Sequence, residues 1–253
     1  METKLNNKKR IVIIGATSAI AEHCARLWVQ GGAADLVLVG RDRDRTERVA
    51  ADLRVRGPQS DIQAVTSGFL DVAEIERTVG AVWGSGIDVV LIAHGSLPDQ
   101  GVCEQDLAAC RAAIDVNALS PVLFAEAFAR RMAAQNRGTL AVIGSVAGDR
   151  GRKSNYVYGA AKGLVDRYAQ GLQHRFAATG VRVVLIKPGP TDTPMTASLK
   201  NRGAKLAPVE DVARQIVDAV ERGKAVAYVP GKWQLIMWVI RNMPAVVFNK
   251  LNI

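Results

Sequence analysis

Three cysteines in 253 residues, Cys24, Cys103 and Cys110, are an odd count with no CxxC spacing. They argue against a disulfide framework and a zinc cluster, and for a reducing, cytoplasmic setting. Three scattered histidines, His23, His94 and His174, make no HExxH or HxxxH pattern, so no metal site is expected. No uninterrupted apolar run reaches the roughly 18–20 residues of a membrane-spanning helix. After ten polar and basic residues the first apolar run is only Ile11–Ile14, too short for the core of a secretory signal. Acidic residues are outnumbered 24 to 33, for a net charge of +9, which favours anionic partners. Nucleic acid is not expected among them, because no run of five basic residues and no basic stripe interleaved with aromatics occurs.

What is present has the composition of an average globular chain, 49% hydrophobic and 23% charged. A chain of this length buries roughly 70–75% of its unfolded surface and needs no metal to hold a core. Short continuous apolar runs at 11–15, 36–40, 62–65, 88–93, 139–144, 181–186 and 225–229 alternate with helical patterns at 19–30, 45–55, 74–83, 119–135, 155–178 and 209–222. Continuous runs are the mark of strands covered on both faces, and the alternation predicts βαβ crossovers. The expected fold is α/β: a Rossmann-type, doubly wound parallel sheet of about seven strands with helices on both faces. One domain is expected over 1–253, with a basic tail at 1–9, a Pro/Gly/Thr-rich substrate loop at 188–208 and an apolar helical segment at 231–253.

The first strand runs through GATSAIA (15–21) into a helix, an arrangement that aims backbone N–H groups and the helix dipole at a pyrophosphate. GxGxxG is absent; the spacing is Gly15, Ala19, Ala21, and a plain strand–helix turn would read similarly. Asp35 precedes the second strand and so sits at the wrong end to bind a ribose. Arg41 follows that strand, where an arginine accommodates a 2′-phosphate, and NADP(H) is favoured over NAD(H).

Residues 145–162 read SVAGDRGRKSNYVYGAAK. Tyr158 and Lys162 stand four apart on one helix face, and Ser145 lies just past the fifth strand. A lysine charge near a phenol favours tyrosinate and lowers the phenol pKa from about 10. Such a tyrosine can protonate a carbonyl oxygen while Ser145 hydrogen-bonds it. Tyr156, two residues away, faces elsewhere and is assigned to packing or a pocket wall.

YGAAK preceded at thirteen residues by Ser145, the strand–turn–helix start, and PGPTDT after strand six together resemble the short-chain dehydrogenase/reductase superfamily over about residues 10–230. The resemblance implies Tyr158 as acid/base, Lys162 as its activator, Ser145 as carbonyl-positioning donor and Asn117, in DVNALSP, as support for a proton-relay water. It implies cofactor contacts at Gly15, Thr17, Ser18, Ala19 and Ile20 in the first turn, Asp71 and Val72 at the adenine, and Ala93, His94 and Gly95 after strand four. Pro188, Gly189, Thr191 and Thr193 would meet the nicotinamide and phosphates. The chain departs from the family at Ile14, where a threonine is usual, at Ala19 and Ala21, where glycines are usual, and at Ile92-Ala93-His94-Gly95 in place of Asn-Asn-Ala-Gly.

The tail WQLIMWVIRNMPAVVFNKLNI, the segment GDRGRKSNYVYG and the TSAIA turn resemble the decaprenylphosphoryl-2-keto-erythro-pentose reductases. That subgroup implies a keto-sugar on a polyprenyl phosphate as substrate, with Arg150, Arg152 and Lys153 either at its phosphate or merely in a solvated turn. The apolar tail, flanked by Lys232, Arg241 and Lys250, would then pack on protein or lie peripherally on an anionic membrane. The superfamily implies a homo-oligomer, dimer or tetramer. Two other readings stand beside this one: a 3-oxoacyl-thioester or steroid-type reductase on the same scaffold, and a dinucleotide-binding sensor without turnover.

Overall fold

The computed structural model describes residues 8–251; most of the basic segment 1–9 and the last two residues of the tail lie outside the described residues. Seven strands, β1 (Lys9–Ile14), β2 (Ala34–Gly40), β3 (Asp61–Thr66), β4 (Val89–Ile92), β5 (Gly138–Ile143), β6 (Val181–Pro188) and β7 (Val226–Val229), form one sheet in the order β3-β2-β1-β4-β5-β6-β7. Every pairing is parallel. The strands are buried on both faces because successive side chains feed two separate clusters. Ile11 and Ile13 of β1 join one core and Val12 and Ile14 the other.

The helices α1 (Ala19–Gln30), α2 (Arg43–Arg56), α3 (Val72–Trp83), α4 (Gln100–Gln105) and α5 (Leu107–Ile114) come first. They are followed by α6 (Ser120–Gln135), α7 (Tyr156–Arg175), α8 (Ala197–Asn201), α9 (Val209–Arg222), α10 (Trp233–Asn242) and α11 (Ala245–Phe248). The first core lies among α1, α2, α9 and the sheet; the second lies under α3, α6 and α7. The expected helix over 119–135 is the second half of a longer one. From Leu107 to Gln135 the chain is helical without interruption, by way of a π-turn at Asp115–Leu119. Its length and hydropathy would suffice to cross a membrane, but Phe124, Phe128 and Met132 are wholly enclosed in the second core, so in this fold it is a core helix.

The strand order reverses between β1 and β4, and a ligand crevice opens there at the carboxyl ends of the strands. Gly15 follows β1 at φ +83°, and a Cβ on it would stand 2.6 Å from that of His94, which follows β4. Only glycine permits this backbone and this approach.

The tail forms the two short helices that Pro244 divides, but α10 is less enclosed than its composition predicts. Met237 is buried, whereas Leu235 and Trp238 are 68% and 64% exposed. Trp233 and Ile240 are partly covered, and the outward face of the helix carries exposed Leu235, Trp238 and Val239.

Candidate active site

Two connected cavities line the crevice. The outer, of about 680 Å³, runs from the β1–α1 turn past the end of β2; the inner, of about 150 Å³, lies over the ends of β5 and β6. Gly15, Thr17 and Ala19 line the outer one, and Ser18 and Ile20 line both. Ser18 stands at the N-cap of α1, but its hydroxyl makes no capping bond, so the first-turn N–H groups face the cleft without a side-chain partner.

At the end of β2 Arg41 lines the same cleft, joined by Arg45 from the first turn of α2. Asp42, between them, is occupied as the N-cap of α2, accepting from the Arg45 backbone N–H at 2.9 Å. Asp35 sits at the opposite end of the strand, 3.9 Å from Lys8. Arg45 was not singled out from the sequence; its place one helical turn from Arg41 is the signal that would have found it.

Asp71 and Val72 are not brought to the cleft. Asp71 is the N-cap of α3, its carboxylate accepting from the Glu74 N–H at 2.7 Å, and both residues face solvent. Phe69 and Leu70 line the cavity instead, with the Arg41 guanidinium 5.9 Å from the Phe69 ring. One carboxylate oxygen of Asp71 caps α3, and the wall of the cavity is formed two residues upstream.

Ala93, His94 and Gly95 cross between the two cavities. His94 is tilted against Phe69, with ring centroids 4.7 Å apart, and its Nε2 pairs with Ser120 Oγ at 2.8 Å. Its Nδ1 is buried without a well-formed hydrogen bond among the described residues, the Ile14 backbone being its polar neighbour. Burial above all, with the charges of Lys162 and Arg41, pushes its pKa down to about 3, so the ring is neutral.

Ser145, Tyr158 and Lys162 converge on the inner cavity, and Asn117 closes its floor. The π-turn sets Asn117: its amide donates to Ala113 O at 2.9 Å, while its Oδ1 accepts from the Ser96 N–H at 2.9 Å. π-Turns inside α-helices are frequent at functional sites. Ser145 Oγ accepts from the Ala147 N–H at 3.1 Å, and its hydroxyl hydrogen-bonds Tyr158. Lys162 lies 5.9 Å from the centroid of the Tyr158 ring and donates to Ile143 O at 2.9 Å.

The electrostatics differ from the simple expectation of a lysine that lowers a phenol. Burial raises the Tyr158 phenol, and only the hydrogen-bonding Ser145 hydroxyl pulls it back. Burial also brings the Lys162 ammonium down to about 8, against the attraction of Asp166. In the chain alone desolvation sets the direction of the tyrosine's shift.

Pro188, Gly189 and Thr191 wall the inner cavity, and Thr193 both cavities. The segment 189–208 folds over them, with Met195, Thr196 and Leu199 forming the cover. Trp233 of α10 lies directly on Gly189, so close that any Cβ there would overlap its indole. Trp233 is therefore a packing residue, and of the two tail tryptophans Trp238 is the exposed one.

Of the basic turn, Arg150 is not at the cavity. Its guanidinium donates to Ile240 O at 2.5 Å and Met243 O at 2.6 Å, and stacks 3.8 Å from the Phe248 ring centroid. Lys153 is exposed. Arg152 alone reaches the inner wall, where burial lowers its pKa and its Nε is enclosed without a partner. Tyr156 stands clear of both cavities, 45% exposed, beside Glu104 of α4.

The short chain dehydrogenase family model matches residues 9–203. An uncharacterized oxidoreductase from the mprA 5′ region of Streptomyces coelicolor is 32% identical over 247 residues, covering 96% of each chain. Among solved structures, a short-chain dehydrogenase from Sphingobium yanoikuyae in complex with NADPH superposes with a TM-score of 0.81 at 22% identity, over 94% of this chain and 97% of that one. Another from Burkholderia cenocepacia J2315, in complex with NADP, gives 0.82 at 21% identity over 97% and 98%.

Proposed function

The chain belongs to the short-chain dehydrogenase family, a class of NAD(P)-dependent oxidoreductases, and from that premise we propose that it reduces a carbonyl to a secondary alcohol with Tyr158 as general acid. The observation that carries this reading is the convergence of Ser145, Tyr158 and Lys162 on one small cavity at the switch point of the sheet. The Ser145 hydroxyl, which hydrogen-bonds Tyr158 in the chain alone, would hydrogen-bond the substrate oxygen and fix its position without giving up its proton. Tyr158 delivers the proton that the oxygen needs as it becomes a hydroxyl. Lys162, held by Ile143 O, supplies the positive charge that favours the tyrosinate left behind. Asn117 holds the Ser96 loop beside that lysine.

The dinucleotide supplies hydride when bound. The residues present fit it: the uncapped N-terminus of α1 suits the pyrophosphate, Gly15 permits the close approach, and Gly189, Thr191 and Thr193 border the nicotinamide end. Arg41 and Arg45 bring two guanidinium groups to the outer end of the cleft, where Glu22 of α1 acts on Arg45 and Asp42 is engaged as a helix cap, and they support NADP(H) over NAD(H). The two neighbours named above were solved with NADPH and NADP, which agrees with that preference.

For substrate, the reading supported by the inner cavity is a keto-sugar carried on a polyprenyl phosphate. Arg152 offers an enclosed guanidinium with an unpartnered Nε beside the catalytic tyrosine, and a phosphate would satisfy it. The exposed apolar side chains of α10 and α11, with Lys232, Arg241 and Lys250 around them, suit the interface of an anionic membrane holding such a lipid. The test is NADPH and NADH oxidation measured with lipid-linked keto-sugars, 3-oxoacyl thioesters and steroid ketones. Turnover confined to the neutral ketones would remove the phosphate reading and leave the reductase.

A further inference from the structure

Beneath the Ser145 turn lies a cluster of buried charges that the proposed mechanism does not use. Lys187, next to last in β6, directs its ammonium between two carboxylates. One is Asp149, at the end of the turn that Ser145 begins; the other is Asp166 of α7, whose Oδ2 is 2.5 Å away. The three side chains are at most 6% exposed. Tyr228, the register partner of Lys187 on β7, donates to Asp149 Oδ2 at 2.9 Å, and Arg241 of α10 hydrogen-bonds that tyrosine in turn.

Counting charges exposes an imbalance. One ammonium faces two carboxylates, and a buried charge without a counter-charge is costly. Asp149 is fully engaged, one oxygen by Lys187 and the other by Tyr228. Asp166 gives one oxygen to Lys187, and its Oδ1 is buried with no hydrogen-bond partner. The other cation acting on it is Lys162, four residues back on the same face of α7; its ammonium is bonded to Ile143 O and acts on the carboxylate across more than about 4 Å, through a buried interior and not as a contact ion pair. A Cβ at Gly144 or at Gly148 would come within 2.9 Å of the Asp166 carboxylate oxygens. The carboxylate therefore lies directly under the turn that carries Ser145.

We infer that Asp166 is a positioning residue, the buried counter-ion that keeps Lys162 protonated, and that Asp149 and Lys187 hold it in place beneath the Ser145 turn. The inference rests on the reading of Lys162 as the partner of Tyr158 and extends it. Among the described residues, the titratable and charged groups around the pair are Tyr158, Lys162 and Asp166 on α7, neutral His94 after β4, Asp149 in the turn and Lys187 on β6, with Tyr228 and Arg241 behind Asp149. Burial lifts Asp166 to about 6, against the pull of Lys187, while Asp149 adds to the rise and Lys162 opposes it. Burial brings Lys162 down to about 8, against the pull of Asp166. Between those two values both partners are charged, and the pair spans neutral pH.

The test reads Lys162 directly, so its failure is distinct from a failure of the reductase reading, which a Tyr158 variant reports. The protein is labelled with [13Cε]lysine, and the Lys162 resonance is assigned by its loss in Lys162→Met. In the wild type this resonance should titrate near pH 8 and show a smaller inflection near pH 6 as Asp166 ionises. Asp166→Asn should abolish the inflection and lower the main titration by about one pH unit. The alkaline limb of kcat should move down with it. A folded Asp166→Asn protein with an unchanged Lys162 titration overturns the proposal. If that variant does not fold, the wild-type inflection decides: its presence supports the pair, and a single-step titration of Lys162 overturns it.

Discussion

The Lys162 ammonium donates to the carbonyl oxygen of Ile143 across 2.9 Å. Ile143 is the last residue of β5, and Ser145 follows it by two. One hydrogen bond thus locks the helix that carries Tyr158 to the strand that delivers Ser145. Lys162→Met removes both this tie and the charge. It should lower kcat by about 10²–10⁴-fold and weaken NADPH binding measured by fluorescence titration. A Met variant with wild-type kcat and NADPH affinity would show that the lysine serves only to hold the carbonyl.

At the far end of the cleft, Arg41 and Arg45 line the outer cavity while Asp42 is engaged in capping α2. Arg41→Ala should reduce kcat/KM with NADPH by about tenfold and leave NADH within about twofold, since each charge-assisted hydrogen bond contributes roughly 1.5–3 kcal/mol before solvent screening. The double variant with Arg45→Ala should bring the two cofactors close to parity. Equal losses with both cofactors would assign Arg41 to the architecture of the loop.

Much of this was legible in the sequence because two of its signals are local. Continuous apolar runs in IVIIG and DVVLIA require burial on both faces, and the parallel sheet follows. The four-residue spacing of Tyr158 and Lys162 likewise survives any detail of packing. What escaped depended on contacts remote in sequence. Asp71 reads from the sequence as a cleft residue; in the fold it caps α3, and Phe69 and Leu70 line the cavity. Arg150 reads as a phosphate ligand or a solvated turn charge until the carbonyls of Ile240 and Met243, some ninety residues on, are seen to occupy it. The π-turn that places Asn117 has no signature in hydrophobic periodicity, and the pairing of Lys187 with Asp149 and Asp166 joins three separate elements.

His94 gives the stability of the protein a pH dependence of known sign. Its folded pKa of about 3 lies below the unfolded value of 6.5, so the folded state binds fewer protons between those values. Its contribution is complete above pH 6.5 and is lost as pH falls towards 3, at a limiting slope of about 1.4 kcal/mol per pH unit. His94→Ala should lower stability at pH 7 through the lost ring packing, by about 2–4 kcal/mol, and should flatten the dependence between pH 4 and 6.5. Urea unfolding of both proteins across that range measures it. Parallel curves for the two proteins would contradict the buried, neutral assignment.

Leu235 and Trp238 project from α10 while Trp233 stays on Gly189, so the exposed face can be altered without disturbing the cleft. Leu235→Gln with Trp238→Gln should abolish co-sedimentation with anionic liposomes and leave turnover of a water-soluble ketone unchanged. Salt should weaken the wild-type binding, as Lys232, Arg241 and Lys250 lie near the surface. A wild-type protein that never sediments with liposomes would remove the membrane from the account.

The central claim is that Tyr158 is the proton donor to a carbonyl held by Ser145. Tyr158→Phe keeps the ring and its packing but removes the hydroxyl. The decisive measurement is single-turnover NADPH oxidation by wild type and Tyr158→Phe with saturating ketone, alongside NADPH affinity. The account predicts a rate reduced by about 10²–10⁴-fold with NADPH affinity nearly unchanged. A Tyr158→Phe enzyme that retains more than about a tenth of the wild-type rate would contradict it.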